Sequence, residues 1–208
     1  MKTVFVDRDG VINRNRRDHV KSWGEFVFLP HAVDALAELT RHGFRIVVLT
    51  NQAAINRGIT SRETIEDIHA RMVAALEAAG ARVAGVFYCP HRPEEGCGCR
   101  KPQPGLLFQA ADRLGVDLSQ SYLIGDALTD VVAARRAGCR PILVMTGHGL
   151  RQFLSSTGRD VAGYSVSRDL RHAVRRILVE EGLAKPGLLE RMRRLFDPMP
   201  SSLHSSSR

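Results

Sequence analysis

The sequence predicts an α/β fold, a three-layer α/β/α sandwich around a mainly parallel sheet. Five apolar runs, Val4–Val6, Phe44–Leu49, Val83–Tyr88, Ser121–Ile124 and Pro141–Met145, are short and lack polar alternation, the pattern of strands buried on both faces. Segments of helical period separate them, so successive strands can run parallel through crossover helices. Each of the first four runs stops at a cluster of polar or metal-ligating residues, and open α/β sheets carry their ligands at that carboxyl edge.

The first strand delivers Asp7-Arg8-Asp9, and Gly10 lets the backbone turn away. Asn15-Arg16-Arg17-Asp18-His19 is too polar for a core and reads as a loop over the same edge. Trp23 and Phe26–Leu29 predict a short extra strand or flap before Pro30. Ala32, Val33, Leu36 and Leu39 then fall at helical spacing, and Gly43 ends that helix. Phe44–Leu49 hands Thr50-Asn51-Gln52 to the edge. Thr60-Ser61-Arg62-Glu63 supplies caps and a first-turn acid for a helix reaching about Ala79, with Ile65, Ile68, Met72, Val73 and Leu76 on one face.

Pro104-Gly105 opens a helix through Leu107, Ala110, Ala111 and Leu114. After the fourth strand, Gly125-Asp126-Ala127-Leu128-Thr129-Asp130 leads into a helix whose small residues, Ala133, Ala134, Ala137 and Gly138, allow close packing on the sheet. Thr146–Gly149 reads as a loop with a solvated His148. Leu170, Val174, Ile177 and Leu178 mark a last sheet-packed helix, Pro186–Phe196 a shorter one bracing the domain, and the serine-rich stretch from Pro198 a disordered tail.

A chain of 208 residues, 44% hydrophobic and 25% charged, suits one globular domain. No run approaches the ~20 apolar residues of a membrane span, and no signal-like segment precedes the first strand, so a cytoplasmic protein is expected. The net charge is +8, but residues 151–208 hold 11 basic against 6 acidic residues, so much of the excess lies away from the Asp7/Asp9 edge. With only 6% aromatic residues and no interleaving of rings and cations, a nucleic-acid surface is not expected. Nothing calls for a partner chain, and a monomer is expected.

Two acids one residue apart at a strand end can divide labour. One carboxylate can attack as a nucleophile, a second carboxyl can protonate a leaving oxygen, and a hard cation relieves their repulsion. A solvated loop can carry the same D-x-D, so the other strand ends decide. Thr50, Asn51 and Gln52 can hold phosphate oxygens without adding charge. Asp126 stands where it could ligate Mg²⁺, and Asp130 either joins it or favours the start of the following helix. Cys89, His91, Cys97 and Cys99 form C-x-H-x5-C-x-C, the donor set of a closed, structural, tetrahedral Zn²⁺ site. That loop runs directly into Arg100-Lys101 and would fix two cations near the edge, whereas Cys139 stands alone.

Asp7/Asp9, Thr50, Arg100-Lys101 and Asp126/Asp130, in this order, resemble the four motifs of the haloacid dehalogenase (HAD) superfamily over about residues 1–182. D-R-D-G-V-I-N, T-N-Q, the C-x-H…C-x-C loop and C-R-K-P-x-P-G resemble more narrowly the D-glycero-D-manno-heptose 1,7-bisphosphate 7-phosphatase family and the related histidinol-phosphate phosphatase domains. Gly105 after K-P-x-P and N-Q-A-A-I-N-R-G favour the heptose branch; the short cysteine loop is nearer in length to the histidinol branch.

The resemblance implies a Rossmann-like HAD fold without a large cap domain over residues 1–182, with residues 89–101 as its zinc loop; beyond it, residues 183–197 are expected to add a helix and 198–208 a tail. It implies Asp7 as nucleophile, Asp9 as general acid and then base, and Thr50 and Lys101 as holders of the phosphoryl group. It implies Mg²⁺ on Asp7, the Asp9 carbonyl and Asp126, and Zn²⁺ on Cys89, His91, Cys97 and Cys99. Substrate contacts fall on Asn15, Arg16, Arg17, Asp18, Asn51, Gln52, Ala53 and Arg100. Ala127 stands where the heptose family commonly has Lys, which removes a cation beside the phosphate or sugar. The expected reaction is hydrolysis of a small sugar phosphate, heptose 1,7-bisphosphate to heptose 1-phosphate, with histidinol phosphate as the near alternative. A polynucleotide 3′-phosphatase and a non-catalytic zinc-organised module are the other classes considered.

Overall fold

A computed structural model describes residues 1–155 and 163–187. The chain alternates strand and helix: β1 (Thr3–Val6), α1 (Ala32–Arg41), β2 (Arg45–Asn51), α2 (Arg62–Ala78), β3 (Val83–Cys89), α3 (Gly105–Leu114), β4 (Tyr122–Gly125), α4 (Leu128–Arg136), β5 (Arg140–Val144), α5 (Gly149–Leu154), β6 (Ser165–Ser167) and α6 (Leu170–Glu180). All five strand pairings are parallel, in the order β3-β2-β1-β4-β5-β6. The chain winds outward from β1 to β3 and then returns to β4 on the other side of β1. That reversal opens a crevice at the carboxyl ends of β1 and β4.

The continuous apolar runs bury both faces of the sheet. Val4, Val6, Ile46, Val48, Tyr122 and Ile124 pack under the apolar faces of α1, α2 and α6, while Phe5, Val47, Leu49 and Leu123 face α3 and α4. Neighbouring residues of one strand thus feed opposite layers, as the pleat dictates. Ser61 Oγ accepts the Thr64 amide to start α2, and Asp169 Oδ1 accepts the His172 amide to start α6. At the opposite, amino edge of the sheet, Lys2 pairs with Glu181, which also accepts the Tyr122 hydroxyl at 2.7 Å.

The expected strands and long helices occur where the sequence places them. β6 and α5 were not anticipated: β6 is a three-residue edge strand with serine at both ends, and α5 has only six residues, so neither offers a period to read. The Trp23 region forms a short 3-10 turn over Trp23–Glu25 and a single bridge, Asn13 with Phe28, rather than a strand. Trp23, Phe26 and Phe28 hold it together, Trp23 stacking on Phe26 at 5.0 Å between centroids. The segments after β1 and β2 are loops rather than inserted domains. Residues 183–187 are bend and irregular chain, not helix. The rest of the expected 183–197 helix and the 198–208 tail lie outside the described residues. Among the described residues no helix is long and apolar enough to cross a membrane.

Candidate active site

Asp7 follows directly on β1, β2 carries Thr50 and Asn51, Asp126 follows directly on β4, and these residues border a cleft of about 530 Å³. Lys101 reaches into it from the loop after β3. Its ammonium, almost fully buried, lies 2.8 Å from Asp7 Oδ1 and 2.5 Å from Asp130 Oδ1 and donates to the Leu49 carbonyl at 3.1 Å. The Asn51 side chain fixes the backbone of Lys101 from both sides, Nδ2 donating to its carbonyl and Oδ1 accepting its amide, each at 3.1 Å. Burial alone would favour a neutral lysine, but the charges of Asp130 and Asp7 outweigh it and hold Lys101 above its ordinary value.

Burial pushes the Asp7 carboxyl up to about 7 against the pull of Lys101, with Asp130 and Asp9 adding to the rise. Asp126 rises to about 8, first through burial and then through the charges of Asp7 and Asp130. The Asp7, Asp126 and Asp130 carboxylates lie within 4.8 Å of one another. A buried cluster that resists ionising fits a divalent cation, which would let Asp7 and Asp126 ionise together through hard oxygen donors.

The backbone is shaped to the Asp126 carboxylate. Oδ2 accepts the His148 amide at 2.8 Å, and Gly10 and Gly147 close in behind, both at positive φ. A Cβ on either would come within about 2.1 Å of Oδ2, so a side chain there is excluded by space as well as conformation. At Gly125 space alone excludes a side chain, because a Cβ would meet the Asp130 side chain at 2.3 Å. Asp130 also accepts the Ala127 amide at 3.1 Å, so it starts α4 and pairs with Lys101 at once.

Asp9 is held apart from that cluster. Its carboxylate accepts from Arg8 Nη2 at 3.1 and 2.8 Å, Asn13 Nδ2 at 2.9 Å and Gln52 Nε2 at 2.8 Å. Burial raises its proton affinity, but the Arg8 charge and these bonds outweigh burial and leave its value below the ordinary one. These donors occupy the Asp9 side chain; in the turn that follows, Gly10 donates to the Asn13 carbonyl, and the Arg8 carbonyl takes the amides of Val11, Ile12 and Asn13.

The other expected residues divide. Thr50, Asn51, Arg100, Asn15, Arg16 and Arg17 border the cleft. Gln52 borders it too, but is 2% exposed with its amide spent on Asp9, on Thr50 Oγ1 at 2.8 Å and on Arg8 at 3.1 Å. Ala53 is buried and Asp18 is exposed, and neither borders the cleft. Asp18 instead pairs with Arg16 at 3.0 Å and Lys21 at 2.5 Å, because its side chain turns along the loop surface. His148 is exposed as expected, though its backbone amide binds Asp126. Thr129 and Arg151 border the cleft without having been picked out, and His19 borders it from the loop expected over this edge. Arg151 was invisible because α5 itself was; the His148 amide on Asp126 and the Gln152 side chain, accepting the Leu128 amide at 2.5 Å, bring that helix to the cleft.

Cys89, His91, Cys97 and Cys99 converge at the end of β3. Their sulfurs are 3.2 to 3.5 Å apart, and His91 Nδ1 lies 3.3 Å from Cys99 Sγ and 3.4 Å from Cys89 Sγ. No disulfide joins them. A tetrahedron around an ion with ~2.3 Å metal–sulfur bonds has edges of about 3.8 Å, so these donors fit a zinc ion with little movement. Arg100 Nη1 donates to the His91 carbonyl at 3.0 Å, tying the cation beside Lys101 to the same loop.

The HAD-hydrolase-like family profile matches residues 98–173. The chain is 42% identical over 148 residues to the D-glycero-beta-D-manno-heptose-1,7-bisphosphate 7-phosphatase of Pseudomonas aeruginosa, covering 71% of this chain and 83% of that one. It is 41% identical over 180 residues to the enzyme of the same name from Bordetella bronchiseptica, covering 86% and 99%. A crystal structure of D,D-heptose 1,7-bisphosphate phosphatase from B. bronchiseptica with magnesium and phosphate superposes with a TM-score of 0.80 at 39% identity, again covering 86% of this chain and 99% of that one.

Proposed function

Because the chain belongs to the D-glycero-beta-D-manno-heptose-1,7-bisphosphate 7-phosphatase family of HAD phosphatases, we propose that it releases the 7-phosphate of D-glycero-D-manno-heptose 1,7-bisphosphate and leaves heptose 1-phosphate. The observation that carries the chemistry is the buried Lys101 ammonium bridging Asp7 and Asp130 at the end of β1. It puts a fixed positive charge where a phosphoryl group would pass to an Asp7 oxygen.

In the first step an Asp7 carboxylate oxygen attacks phosphorus, the bond from phosphorus to the sugar oxygen breaks, and Asp9 gives its proton to that oxygen. In the second, Asp9 takes a proton from water as the water oxygen attacks the aspartyl-phosphate, and Asp7 is released. The hydrogen bonds around Asp9 favour the carboxylate, the form the second step uses. For the first step, a phosphate dianion arriving beside it raises its proton affinity. Thr50 Oγ1 accepts from Gln52, so its hydroxyl proton is available to a phosphoryl oxygen, and Lys101 offsets the charge of the others.

Asp7, Asp126 and the Asp9 carbonyl would hold Mg²⁺, which when bound supplies Lewis-acid compensation of phosphoryl charge. Cys89, His91, Cys97 and Cys99 would hold a structural Zn²⁺ that keeps Arg100 and Lys101 in place. Arg17, Arg100 and Arg151 at the cleft border suit the second phosphate; Arg16, paired with Asp18 and 3.6 Å from Glu25, suits it less. Asn15 and Asn51 can meet sugar hydroxyls. Residues 1–182 serve as the phosphatase domain of a cytoplasmic monomer in this reading. Nucleic acid has no part in it.

The test is phosphate release by Mg²⁺-loaded, zinc-replete protein from both heptose 1,7-bisphosphate anomers, histidinol phosphate and a 3′-phosphorylated oligonucleotide. A kcat/KM preference for one heptose anomer is expected. Preference for histidinol phosphate would instead assign Ala127 and the short zinc loop to that substrate.

A further inference from the structure

Arg8 stands between the two acids of β1's end, yet its side chain is wholly buried, and it divides its donors between two elements. Nη2 spans both oxygens of Asp9 and reaches Gln52, while Nη1 donates to Nε2 of His69 at 3.0 Å. Arginine only donates, so Nε2 must present its lone pair and Nδ1 must carry the proton. Burial and the Arg8 charge lower the ring to about 3, which keeps it neutral. His69 lies on the buried face of α2 with Ile65, Ile68 and Met72, and its ring packs on Tyr88 of β3 at 5.3 Å between centroids. Tyr88 is itself fixed, its hydroxyl donating to Glu66 at 2.6 Å and accepting from Arg62 at 2.9 Å.

An apolar side chain would complete this face of α2 as Ile65 and Met72 do. What only an acceptor supplies is a partner for a buried guanidinium nitrogen. We propose that His69 is a positioning residue for the acid–base carboxyl: its Nε2 sets the angle of the Arg8 guanidinium, and Arg8 thereby aims Asp9 at the leaving oxygen. The proposal rests on Asp9 being the proton donor, as read above. If Arg8 swings, Asp9 loses two of its four hydrogen bonds and its direction, although His69 has no hydrogen bond to Asp9 and does not border the cleft.

Leaving-group dependence separates this from a packing role. A sugar alkoxide needs protonation as it departs; p-nitrophenolate does not. His69→Leu should slow single-turnover cleavage of heptose bisphosphate by about 10–100-fold, while single-turnover release of p-nitrophenolate from p-nitrophenyl phosphate, a step in which Asp9 gives no proton, slows by no more than about 3-fold. His69→Gln, whose amide oxygen can occupy the Nε2 position, should restore most of the loss. His69→Asn, whose oxygen stops at the Nδ1 position, should not, and this polar pair makes the comparison even if the leucine variant fails to fold. Equal single-turnover losses on both esters, no loss on the sugar phosphate, or equal activity of the Gln and Asn variants would overturn the role of His69. A wild-type enzyme inactive on both esters would overturn the phosphatase reading instead.

Discussion

The Lys101 ammonium sits 2.8 Å from Asp7 Oδ1 although 94 residues of chain separate the two. The pair joins the end of β1 to the loop after β3, and Asp130 from α4 closes on the same nitrogen. Nucleophile and phosphate-holding cation therefore share one buried electrostatic unit, and a change to any member is felt in both stability and turnover.

Lys101→Met is expected to abolish most activity and to cost about 3–5 kcal/mol, because two buried carboxyls lose their cation. The loss should be smaller at pH 5.5 than at pH 8, since protonation of Asp7, whose carboxyl is pushed up to about 7, relieves the imbalance. Urea unfolding at the two pH values, with phosphate release alongside, reads both effects.

Asp7→Asn removes the attacking oxygen but keeps the shape of the side chain. Turnover should fall on the order of 10⁴-fold or more, the scale of a lost nucleophile, with a cooperative melt retained. Appreciable phosphate release from this variant would rule out Asp7 as the nucleophile.

Without metal, Asp7 near 7 and Asp126 near 8 hold protons that the unfolded chain releases near its ordinary 3.8. Their contribution to stability is complete below about pH 4 and is lost as pH rises through 7 to 8. Asp9, shifted the other way, contributes above its ordinary value and loses that only in acid. The metal-free melting temperature should thus fall between pH 6 and 8.5, while the increase caused by Mg²⁺ grows, because the ion binds the ionised pair. A Mg²⁺ effect that shrinks over this interval would contradict the assignment.

The cysteine loop should carry one zinc ion per chain by elemental analysis. Cys97→Ser should reduce zinc content and melting temperature, and should lower kcat as well, because Arg100 and Lys101 follow directly on the loop. Unchanged kinetics in a zinc-depleted variant would separate the loop from catalysis.

Gly147→Ala places a methyl group about 2.0 Å from Asp126 Oδ2. Either Asp126 moves or the His148 amide does, and Mg²⁺ affinity should weaken at least tenfold in a titration, with the fold retained.

The strand ends and the cysteine loop were legible because each is a local string whose residue types already limit its chemistry. Asp7, Thr50 and Asp126 lie at the ends of the neighbouring parallel strands β1, β2 and β4, so their convergence follows from topology, whereas Lys101 is carried in by the loop after β3. Side-chain direction was not legible. Gln52 and Asp18 sit beside cleft residues in the chain, yet one turns inward to Asp9 and the other along the surface to Lys21. His69 occupies an apolar helical stripe, and its role depends on Arg8 lying 61 residues earlier in the chain, a pairing that no spacing announces. β6 and α5 escaped because pieces of three and six residues show no period.

Parallel strands also give the molecule a front and a back. The cleft opens where β1 ends, whereas Met1, 86% exposed, and Lys2 with its Glu181 partner lie where β1 begins, roughly 13 Å away for four residues at ~3.3 Å each. A linker fused ahead of β1 and anchored to a bead or electrode would present the cleft to the solution, so the immobilised enzyme should keep the substrate access of the free one.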